Sequence, residues 1–340
     1  MNHMEICNIC GGNVFLSLFK ARDRVYPINK VFYVVKCKKC ESLFLMPQPS
    51  PKELEEHYPN TYYESMMPVN FETRDSFSTS VKYKLREKVL AYYYNYPFSV
   101  KNRLSFIEKL LLFPLKFHFS ILSNTFIPWN GEGKVLDIGC GMGGNLNKLK
   151  KLGWETYGVE PDEYAAGYAK EANHNIICGT LTDANFLPNF FDAILLREVL
   201  EHLHNPVETL KEIKRIIKPG GRIYLSVPIS NNLFFKIFKN RWHSLEIPRH
   251  IWIPSTKAIK ILCYKTGMKI NRLKYRRGGE ILGSIQYVIN DLGRQRIYLA
   301  DNKRNKIYRN KFLMKIISPL ELILQEFHLT SGILIEIMKK

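Results

Sequence analysis

Four cysteines near the start of the chain have the spacing of a metal-binding site. They form two Cys-x2-Cys pairs, Cys7 with Cys10 and Cys37 with Cys40. Four thiolates in this arrangement bind Zn²⁺ tetrahedrally and leave no coordination position open for water. Gly11 allows the first knuckle to turn tightly. The spacing therefore predicts a zinc ribbon over residues 1–46, with two strands between the pairs and Zn²⁺ in a structural role.

A glycine-rich turn in the middle of the chain has the composition of a cofactor-binding loop. The apolar run 135–138 contains Asp137 and leads into three alternating glycines, Gly139, Gly141 and Gly143. This pattern is typical of a buried parallel strand, a tight turn and a helix start, where the backbone approaches a ligand closely. The next strand ends in Glu160, at the distance from the turn where a dinucleotide fold places its ribose-binding acid. The pattern predicts a ligand-binding α/β fold.

The segment from about residue 133 to about residue 268 resembles the class I S-adenosylmethionine (SAM)-dependent methyltransferases. The resemblance rests on the glycine turn, on Glu160, on the strand that begins at Phe191-Asp192, and on the Lys-Pro-Gly-Gly run at 218–221. It implies a Rossmann-like sheet of seven strands, with the last strand antiparallel between two others, and SAM as the cofactor.

The same resemblance assigns roles to residues on the cofactor side. Glu160 would hold the ribose hydroxyls, Asp183 would accept a hydrogen bond from the adenine amino group, and Ala184 would donate its backbone N–H to the ring. The three glycines would let the backbone wrap the methionine part. Asp137 would order that turn, and Arg197, at the end of the fourth strand, would face the cofactor.

The residues before this segment resemble those of a more specific group of methyltransferases. A ribbon, the stiff linker 47–51 and an aromatic segment with Tyr58, Tyr62 and Tyr63 are similar to those of bacterial sugar C-methyltransferases and related glycan-pathway methyltransferases. This implies methyl transfer to a small molecule, a nucleotide sugar or a surface-glycan sugar, at carbon or oxygen. The tyrosines would either contact this acceptor or pack the ribbon onto the SAM-binding domain.

An insertion at 229–255 is expected to lie beside the acceptor, because loops at the carboxyl ends of strands build the site in this fold. Its titratable and cationic groups are His243, Glu246, Arg249 and His250. A neutral histidine can take the proton of the acceptor. A Pro-x-His similar to that of the family favours His250 over His243 as this base, with helix capping as the alternative role of His250. Arg249 is expected to pair with a phosphate of the acceptor.

The segment Glu198-Val199-Leu200-Glu201-His202 raises the question of a second metal site. Some methyltransferases of RNA 3′ ends and of quinone precursors hold a divalent ion with a similar set. The Glu201-His202 pair also recurs in many class I methyltransferases of small molecules, where it orders the loop beside the cofactor. We expect that ordering role here.

Three regions are predicted: the ribbon at 1–46, a linker and helical substrate-side region at 47–130, and the SAM-binding domain at 131–340 with insertions at 229–255 and 278–328. The apolar stretch 106–129 is interpreted either as a core helix or as an element that meets membrane lipid. The sequence shows no signal peptide and no run long enough to span a bilayer. We therefore expect a cytoplasmic protein, peripheral to the membrane if the second interpretation holds.

The formal net charge of +19 attracts polyanions, although an AT-rich genome would explain it equally well. It makes an RNA methyltransferase the alternative function. Against this, the cysteine spacing differs from that of zinc-bearing rRNA guanine methyltransferases, and no Asp/Asn-Pro-Pro-Tyr motif of base methylation occurs. A non-catalytic scaffold of the same fold is a third hypothesis, which the intact glycine turn and Glu160 disfavour.

Overall fold

The computed structural model describes most of the chain. The described residues are 5–26, 28–59, 62, 77–98, 105–113, 127–276, 280–293, 307 and 310–339. They divide into two compact units, one made of 1–59, 196–214 and 225–340, the other of 60–195 and 215–224.

Strands supply the framework of the molecule. In chain order they are β1 (Phe15–Arg22), β2 (Val31–Cys37), β3 (Leu43–Met46), β4 (Lys134–Ile138), β5 (Glu155–Glu160), β6 (Asn175–Cys178), β7 (Phe191–Arg197), β8 (Ile217–Pro228), β9 (Trp252–Ile253), β10 (Met268–Arg276) and β11 (Gly332–Lys339).

Helices connect and cover the strands. In chain order they are α1 (Pro51–Glu55), α2 (Phe77–Tyr93), α3 (Gly144–Lys150), α4 (Glu163–Glu171), α5 (Pro206–Ile216), α6 (Leu233–Phe238), α7 (Thr256–Lys265), α8 (Glu280–Leu292) and α9 (Lys311–Glu326). Several begin at the residue types that satisfy free backbone N–H groups. Ser50, Asp162 and Ser255, for example, each accept from the amide three residues on.

The larger sheet has the predicted seven strands, in the order β10-β11-β8-β7-β4-β5-β6. The strand β11 lies between β10 and β8 and is antiparallel to β10, which confirms the predicted place of the last strand. The strands β4, β5 and β6 pair in parallel. Parallel pairing places their carboxyl ends at one edge, so Asp137 and Glu160 meet there with the glycine turn.

The Lys-Pro-Gly-Gly run at 218–221 is one of the features on which the resemblance rests. In the structure α5 passes directly into β8, and the run forms the first part of that strand. The ammonium of Lys218 pairs with Asp192 at 3.1 Å and with Glu132 at 3.0 Å. These ion pairs of Lys218 hold the segment in place. A local turn pattern in the sequence does not reveal such long-range pairs.

The smaller sheet contains the predicted ribbon strands and two that the sequence did not indicate. Its order is β1-β2-β3-β9, and all neighbours are antiparallel. The strand β9 comes from the 229–255 insertion, and the Trp252 ring stacks on Phe44 at a centroid distance of 6.0 Å. The ribbon therefore shares its sheet with the loop expected to carry the catalytic base.

Each unit has its own apolar core. The first contains ribbon, insertion and α8 side chains: Phe32, Val34, Leu43, Leu45, Phe234, Trp242, Leu245, Ile247, Ile253 and Ile281. The second lies between α2 and the parallel strands: Val89, Leu90, Tyr94, Tyr96, Leu112, Ile127, Val135, Leu149, Leu152, Trp154, Ala193, Leu195 and Tyr224. Among the described residues these two clusters are separate, as expected of a chain too long for one small core.

Packing in the second unit leaves no room at Gly158, in the middle of β5. A Cβ there would lie 2.6 Å from Cδ1 of Ile176 and 2.7 Å from Sγ of Cys140. Gly167 in α4 is the opposite case, since its Cβ would meet nothing within 4 Å. The first glycine is thus required by close packing, and the second is not.

The apolar stretch 106–129 is described in part. Residues 106–113 are helical; Leu112 is buried in the second core, whereas Phe106, Ile107, Leu110 and Leu111 are exposed. Pro114 and residues 115–126 lie outside the described residues. Within the described part of the chain, no helix is both long and apolar enough to cross a membrane.

Candidate active site

The glycine turn after β4 adopts the conformation that its sequence predicts. Gly139, Gly141 and Gly143 have φ values of 67°, 51° and 78°, which disfavour residues with a Cβ. A Cβ on Gly141 would project into space with no heavy atom within 4 Å, whereas one on Gly143 would lie 3.2 Å from Ala169. Gly141 therefore leaves space for a ligand to approach the backbone, whereas Gly143 is needed for packing.

Glu160 closes the base of this turn. One carboxylate oxygen accepts from the Gly141 amide at 2.8 Å and the other from the Asp162 amide at 3.1 Å. Burial raises the pKa of Glu160, and these two amide bonds oppose the shift. The carboxylate thus lies against the turn at the carboxyl edge of the sheet, where the sequence places it.

The other predicted cofactor-side residues have varied surroundings. Asp183 is exposed, and its Oδ2 accepts from the Thr180 amide at 2.8 Å and from the Thr180 hydroxyl at 2.6 Å. These bonds lower the pKa of Asp183. Ala184 and Arg197 are half-buried, and Asp137 is buried at the end of β4. Their predicted contacts with SAM stay predictions.

The four cysteines converge as the spacing predicts. All four are buried, and their sulfurs lie within 4.8 Å of one another. The Cys7–Cys40 sulfur distance is 3.8 Å and the Cys10–Cys37 distance is 3.6 Å. Four sulfurs bound to one tetrahedral Zn²⁺ at about 2.3 Å would be about 3.8 Å apart. The donor set and its dimensions therefore fit zinc.

A second cluster brings Glu201 and His202 together with His250. One ligand-type atom of each lies within 4.8 Å of those of the other two. Two bonds fix the loops against each other: the Ile251 amide donates to the Glu201 carbonyl at 3.1 Å, and the Trp252 indole donates to the Leu200 carbonyl at 3.0 Å. The predicted base thus lies beside the Glu-His pair that the sequence singled out separately.

Both imidazoles of this cluster have a defined tautomer. The Nδ1 of His202 donates to the Arg249 carbonyl at 2.8 Å, and the Nδ1 of His250 donates to the Ser244 carbonyl at 2.9 Å. Because a carbonyl only accepts, the proton of each neutral ring is on Nδ1 and the lone pair is on Nε2. Burial lowers the pKa of His202 to about 3, so this ring is neutral. A ring with so low a pKa can bind a cation but is a weak proton acceptor at neutral pH.

His243, the second candidate base, lies in a different setting. Its ring stacks on Tyr287 at a centroid distance of 5.9 Å, and its backbone amide donates to the Ser284 hydroxyl at 3.0 Å. A Cβ on Gly283 would come within 2.1 Å of this ring. Burial lowers the pKa of His243. These contacts pack His243 against α8.

Arg249 does not have the role that the sequence suggested. Its guanidinium is fully buried and binds both oxygens of Asp23, at 3.0 and 3.1 Å, and the Glu246 carboxylate at 3.1 Å. A further bond reaches the His57 carbonyl at 3.2 Å. With its N–H groups committed to these partners, Arg249 is not available for a phosphate, and that expectation was wrong.

Asp23 is the centre of this buried network. It also accepts from His57 Nδ1 at 2.7 Å and from the Val25 and Tyr26 amides. Burial alone would raise the pKa of Asp23, but the His57 and Arg249 hydrogen bonds hold it below its ordinary value. The network joins the ribbon segment to the loop that carries His250.

The tyrosines of the aromatic segment divide between the described and undescribed residues. The Tyr58 hydroxyl lies 3.0 Å from Nδ1 of His202, and the two rings are edge-on at 6.4 Å. This contact favours the packing role of Tyr58. Tyr62 is half-buried, and Tyr63 lies outside the described residues.

Comparison with known families agrees with the sheet and the glycine turn. Residues 116–273 match the family described as "Methyltransferase domain". The chain carries a class I SAM-dependent methyltransferase domain. The turn and Glu160 belong to this domain, and so do the acids and histidines of the Glu201 cluster.

Relatives of the methyltransferase domain act on different molecules. The chain is 31% identical over 102 residues to a ubiquinone biosynthesis O-methyltransferase of Pseudomonas aeruginosa, covering 27% of this chain and 43% of that protein. It is 28% identical over 175 residues to a tRNA U34 carboxymethyltransferase of Campylobacter fetus, covering 46% of this chain and 62% of that protein. The chain thus spans less than two thirds of the length of these relatives.

The chain also aligns with solved structures of low sequence identity. A SAM-dependent methyltransferase from Archaeoglobus fulgidus is 19% identical, with a TM-score of 0.43, and the match covers 73% of this chain and 100% of that one.

Sequence reasoning missed the buried partners of the insertion at 229–255. Asp23 and His57 lie in or beside the ribbon, far along the chain from Arg249, and neither belongs to a motif. The only signal for Asp23 in the sequence is a charge at the end of a strand, and His57 has none. Long-range pairing of this kind is visible only in the folded chain.

Proposed function

We propose that the chain transfers the methyl group of SAM to a hydroxyl or carbon of a small molecule, a nucleotide sugar or surface-glycan sugar. The observation that carries this proposal is the glycine turn, closed by the buried carboxylate of Glu160 at the carboxyl edge of the seven-stranded sheet. The open space above Gly141 fits a ligand against the backbone.

The residues of the domain would divide the work as follows. Bound SAM supplies an electrophilic methyl group. Glu160 and Asp183 would hold ribose and adenine through their carboxylates, and Asp137 and Arg197 would line the same side. The chain must then hold the acceptor at near-attack distance and accept one proton. In the absence of a bound ion, Nε2 of a neutral His250 is the group that supports this last step.

The sugar acceptor is supported by the chain's organisation. The ribbon, the linker and the tyrosine segment are similar to those of glycan-pathway methyltransferases, and the net charge of +19 suits a phosphorylated acceptor. The relatives named above act on quinone precursors and tRNA, so this part of the proposal depends on the N-terminal region.

We further propose that the four-cysteine cluster binds structural Zn²⁺. Its sulfur–sulfur distances match a tetrahedral thiolate site, and the Gly12 amide donates to the Cys10 sulfur at 3.4 Å. The ribbon strands alone have little apolar surface to bury, so metal binding would contribute to their folding.

Peripheral contact with a membrane or with a lipid-linked acceptor is also proposed. It rests on the exposed apolar face of residues 106–113, where Phe106 and Leu111 are 81% and 70% exposed. Bulky apolar groups on one helix face favour insertion at the lipid headgroup boundary. Co-sedimentation with anionic vesicles checks this contact; a Phe106→Ser, Leu111→Ser variant that still sediments would refute it.

Calorimetric titration of SAM tests the cofactor assignment. We expect Glu160→Ala to weaken binding at least about tenfold, since a charged hydrogen bond contributes about 1.5–3 kcal/mol. Glu160→Gln keeps an acceptor for the Gly141 amide, so it separates loss of the ribose contact from loss of the turn. Glu155→Ala, at the opposite and exposed end of β5, is the matched control. Unchanged affinity in both Glu160 variants would refute the assignment.

Methyl-labelled SAM, added with the protein to fractionated lysate of the source organism, tests the acceptor. Label in the nucleotide-sugar or lipid-carrier fraction supports the glycan proposal. Label in RNA supports the alternative that the net charge of +19 favours. Normal SAM binding with no label in any fraction would favour the scaffold hypothesis.

A further inference from the structure

The carboxylate of Glu201 lacks the partners that a buried charge requires. The side chain is 0% exposed, and neither oxygen has a hydrogen-bond partner among the described residues. The nearest cationic-type atom is Nε2 of His250, 3.7 Å from Oε1 and beyond hydrogen-bond reach. A buried carboxylate without a partner is strongly unfavourable unless a proton or a cation neutralises it.

The two histidines beside Glu201 are oriented as metal ligands are. Each donates Nδ1–H to a backbone carbonyl, His202 to Arg249 and His250 to Ser244. This second contact fixes the tautomer and leaves Nε2 as a lone-pair donor, which is the arrangement found around metal-binding histidines. Both carbonyls belong to the 229–255 insertion, which the Ile251 amide and the Trp252 indole hold against the Glu201 segment. The geometry therefore exists before any ion binds.

The remaining acids of the neighbourhood are committed elsewhere. Glu198 accepts from the Ser226 hydroxyl at 2.8 Å and pairs with Arg276 at 2.6 Å. Glu246 pairs with Arg249 through one oxygen, and its other oxygen is 3.9 Å from Nε2 of His250. The Glu-x-x-Glu-His pattern would have included Glu198, but the structure replaces it with His250. The candidate donor set is therefore one carboxylate, that of Glu201, and one ring nitrogen each of His202 and His250.

We propose that Glu201, His202 and His250 bind one divalent ion of the first transition row, such as Mn²⁺, Fe²⁺, Co²⁺ or Zn²⁺. Imidazole nitrogen favours these ions over Mg²⁺ and Ca²⁺, which prefer all-oxygen sites. Ligand atoms about 2.1 Å from one ion lie about 3.0–4.2 Å apart, and the 3.7 Å between His250 and Glu201 falls in this range. The site is separate from the cysteine cluster, which uses thiolates.

This site uses the same Nε2 lone pair of His250 that the sequence assigned to a catalytic base. The two roles exclude each other while the ion is bound, so His250 holds the ion and does not take the proton directly. The inference does not depend on methyl transfer, because metal binding is measurable without SAM or acceptor.

Manganese titration followed by electron paramagnetic resonance tests the site. The full chain, with its ribbon zinc measured by elemental analysis, is titrated with Mn²⁺, and the signal of the free ion is recorded. We expect about one Mn²⁺ per chain, with at least about tenfold weaker binding in Glu201→Gln and in His250→Gln. Competing Zn²⁺ or Co²⁺ should displace the bound Mn²⁺.

The control is His204→Asn, which changes a histidine two positions from His202 whose Nε2 donates to the Pro49 carbonyl at 2.8 Å. It should bind Mn²⁺ as the wild type does. If Glu201→Gln fails to fold, the His250→Gln titration decides the question. Two results would overturn the inference: no binding of Mn²⁺, Co²⁺ or Zn²⁺ beyond the cysteine cluster, or equal binding in the wild type and both variants.

Discussion

Replacing Arg249 by methionine tests whether its buried ion pair with Asp23 holds the insertion at 229–255 in place. Both side chains are 0% exposed, and two parallel bonds of 3.0 and 3.1 Å join them. Removing one partner of such a pair leaves the other charge buried, and the usual loss is about 3–5 kcal/mol of unfolding free energy. Since His57 and two amides still bind Asp23, we expect the lower half of that range, about 3 kcal/mol.

The assay is urea unfolding at neutral pH with zinc present, and Arg24→Met is the matched control. Arg24 also binds a carboxylate with two N–H groups, Asp291 at 2.9 and 3.1 Å, but this pair is about 30% exposed. An exposed pair contributes at most about 1 kcal/mol. Arg241 also holds Asp291, which lowers the loss further.

A double-mutant cycle with Asp23→Asn separates the pair from simple loss of packing. We expect a coupling energy of about 2 kcal/mol or more between the two positions, because they share one network. The reasoning is refuted if Arg249→Met loses no more stability than Arg24→Met, or if the effects at Asp23 and Arg249 are additive.

Three further predictions concern packing, pH and metal. Gly158→Ala should lower the unfolding free energy by about 1–3 kcal/mol, because the added methyl group overpacks β5. Gly167→Ala, at an exposed position of α4, should raise it by about 1 kcal/mol. Thermal melts of the two variants and the wild type measure both effects. Burial lowers the pKa of His174 from 6.5 to about 4. As pH falls between these two values, protonation of the unfolded chain should lower the unfolding free energy by up to about 3 kcal/mol. In His174→Gln this contribution to the slope of unfolding free energy against pH should vanish. Cys37→Ser should lose zinc by elemental analysis and unfold the ribbon, and the exposed Cys178→Ser should change neither.

The proposed metal site changes how the acceptor side is interpreted. Sequence reasoning placed a base at His250 and an anion partner at Arg249. In the structure Arg249 is a buried anchor, bonded to Asp23, and its carbonyl sets the tautomer of His202. We therefore expect Arg249 variants to change the Glu201 cluster through position, without any contact between Arg249 and the acceptor.

Local sequence determined the cofactor half of the domain. The glycine turn, Glu160 and the strands around them follow from residues close together in the chain, because positive φ angles and buried parallel strands leave direct signatures in composition. The cysteine spacing likewise predicted the cluster that the structure shows.

Tertiary structure alone decided the acceptor half. The pairing of Asp23 with Arg249 and the proximity of Glu201 to His250 join residues from separate segments, and no motif links them. The addition of β9 to the ribbon sheet brings these segments together. Burial then decides the chemistry. On a surface loop, water would solvate the same arginine, glutamate and histidine side chains. In a dry interior, each of them requires a partner of opposite charge or a hydrogen-bond acceptor.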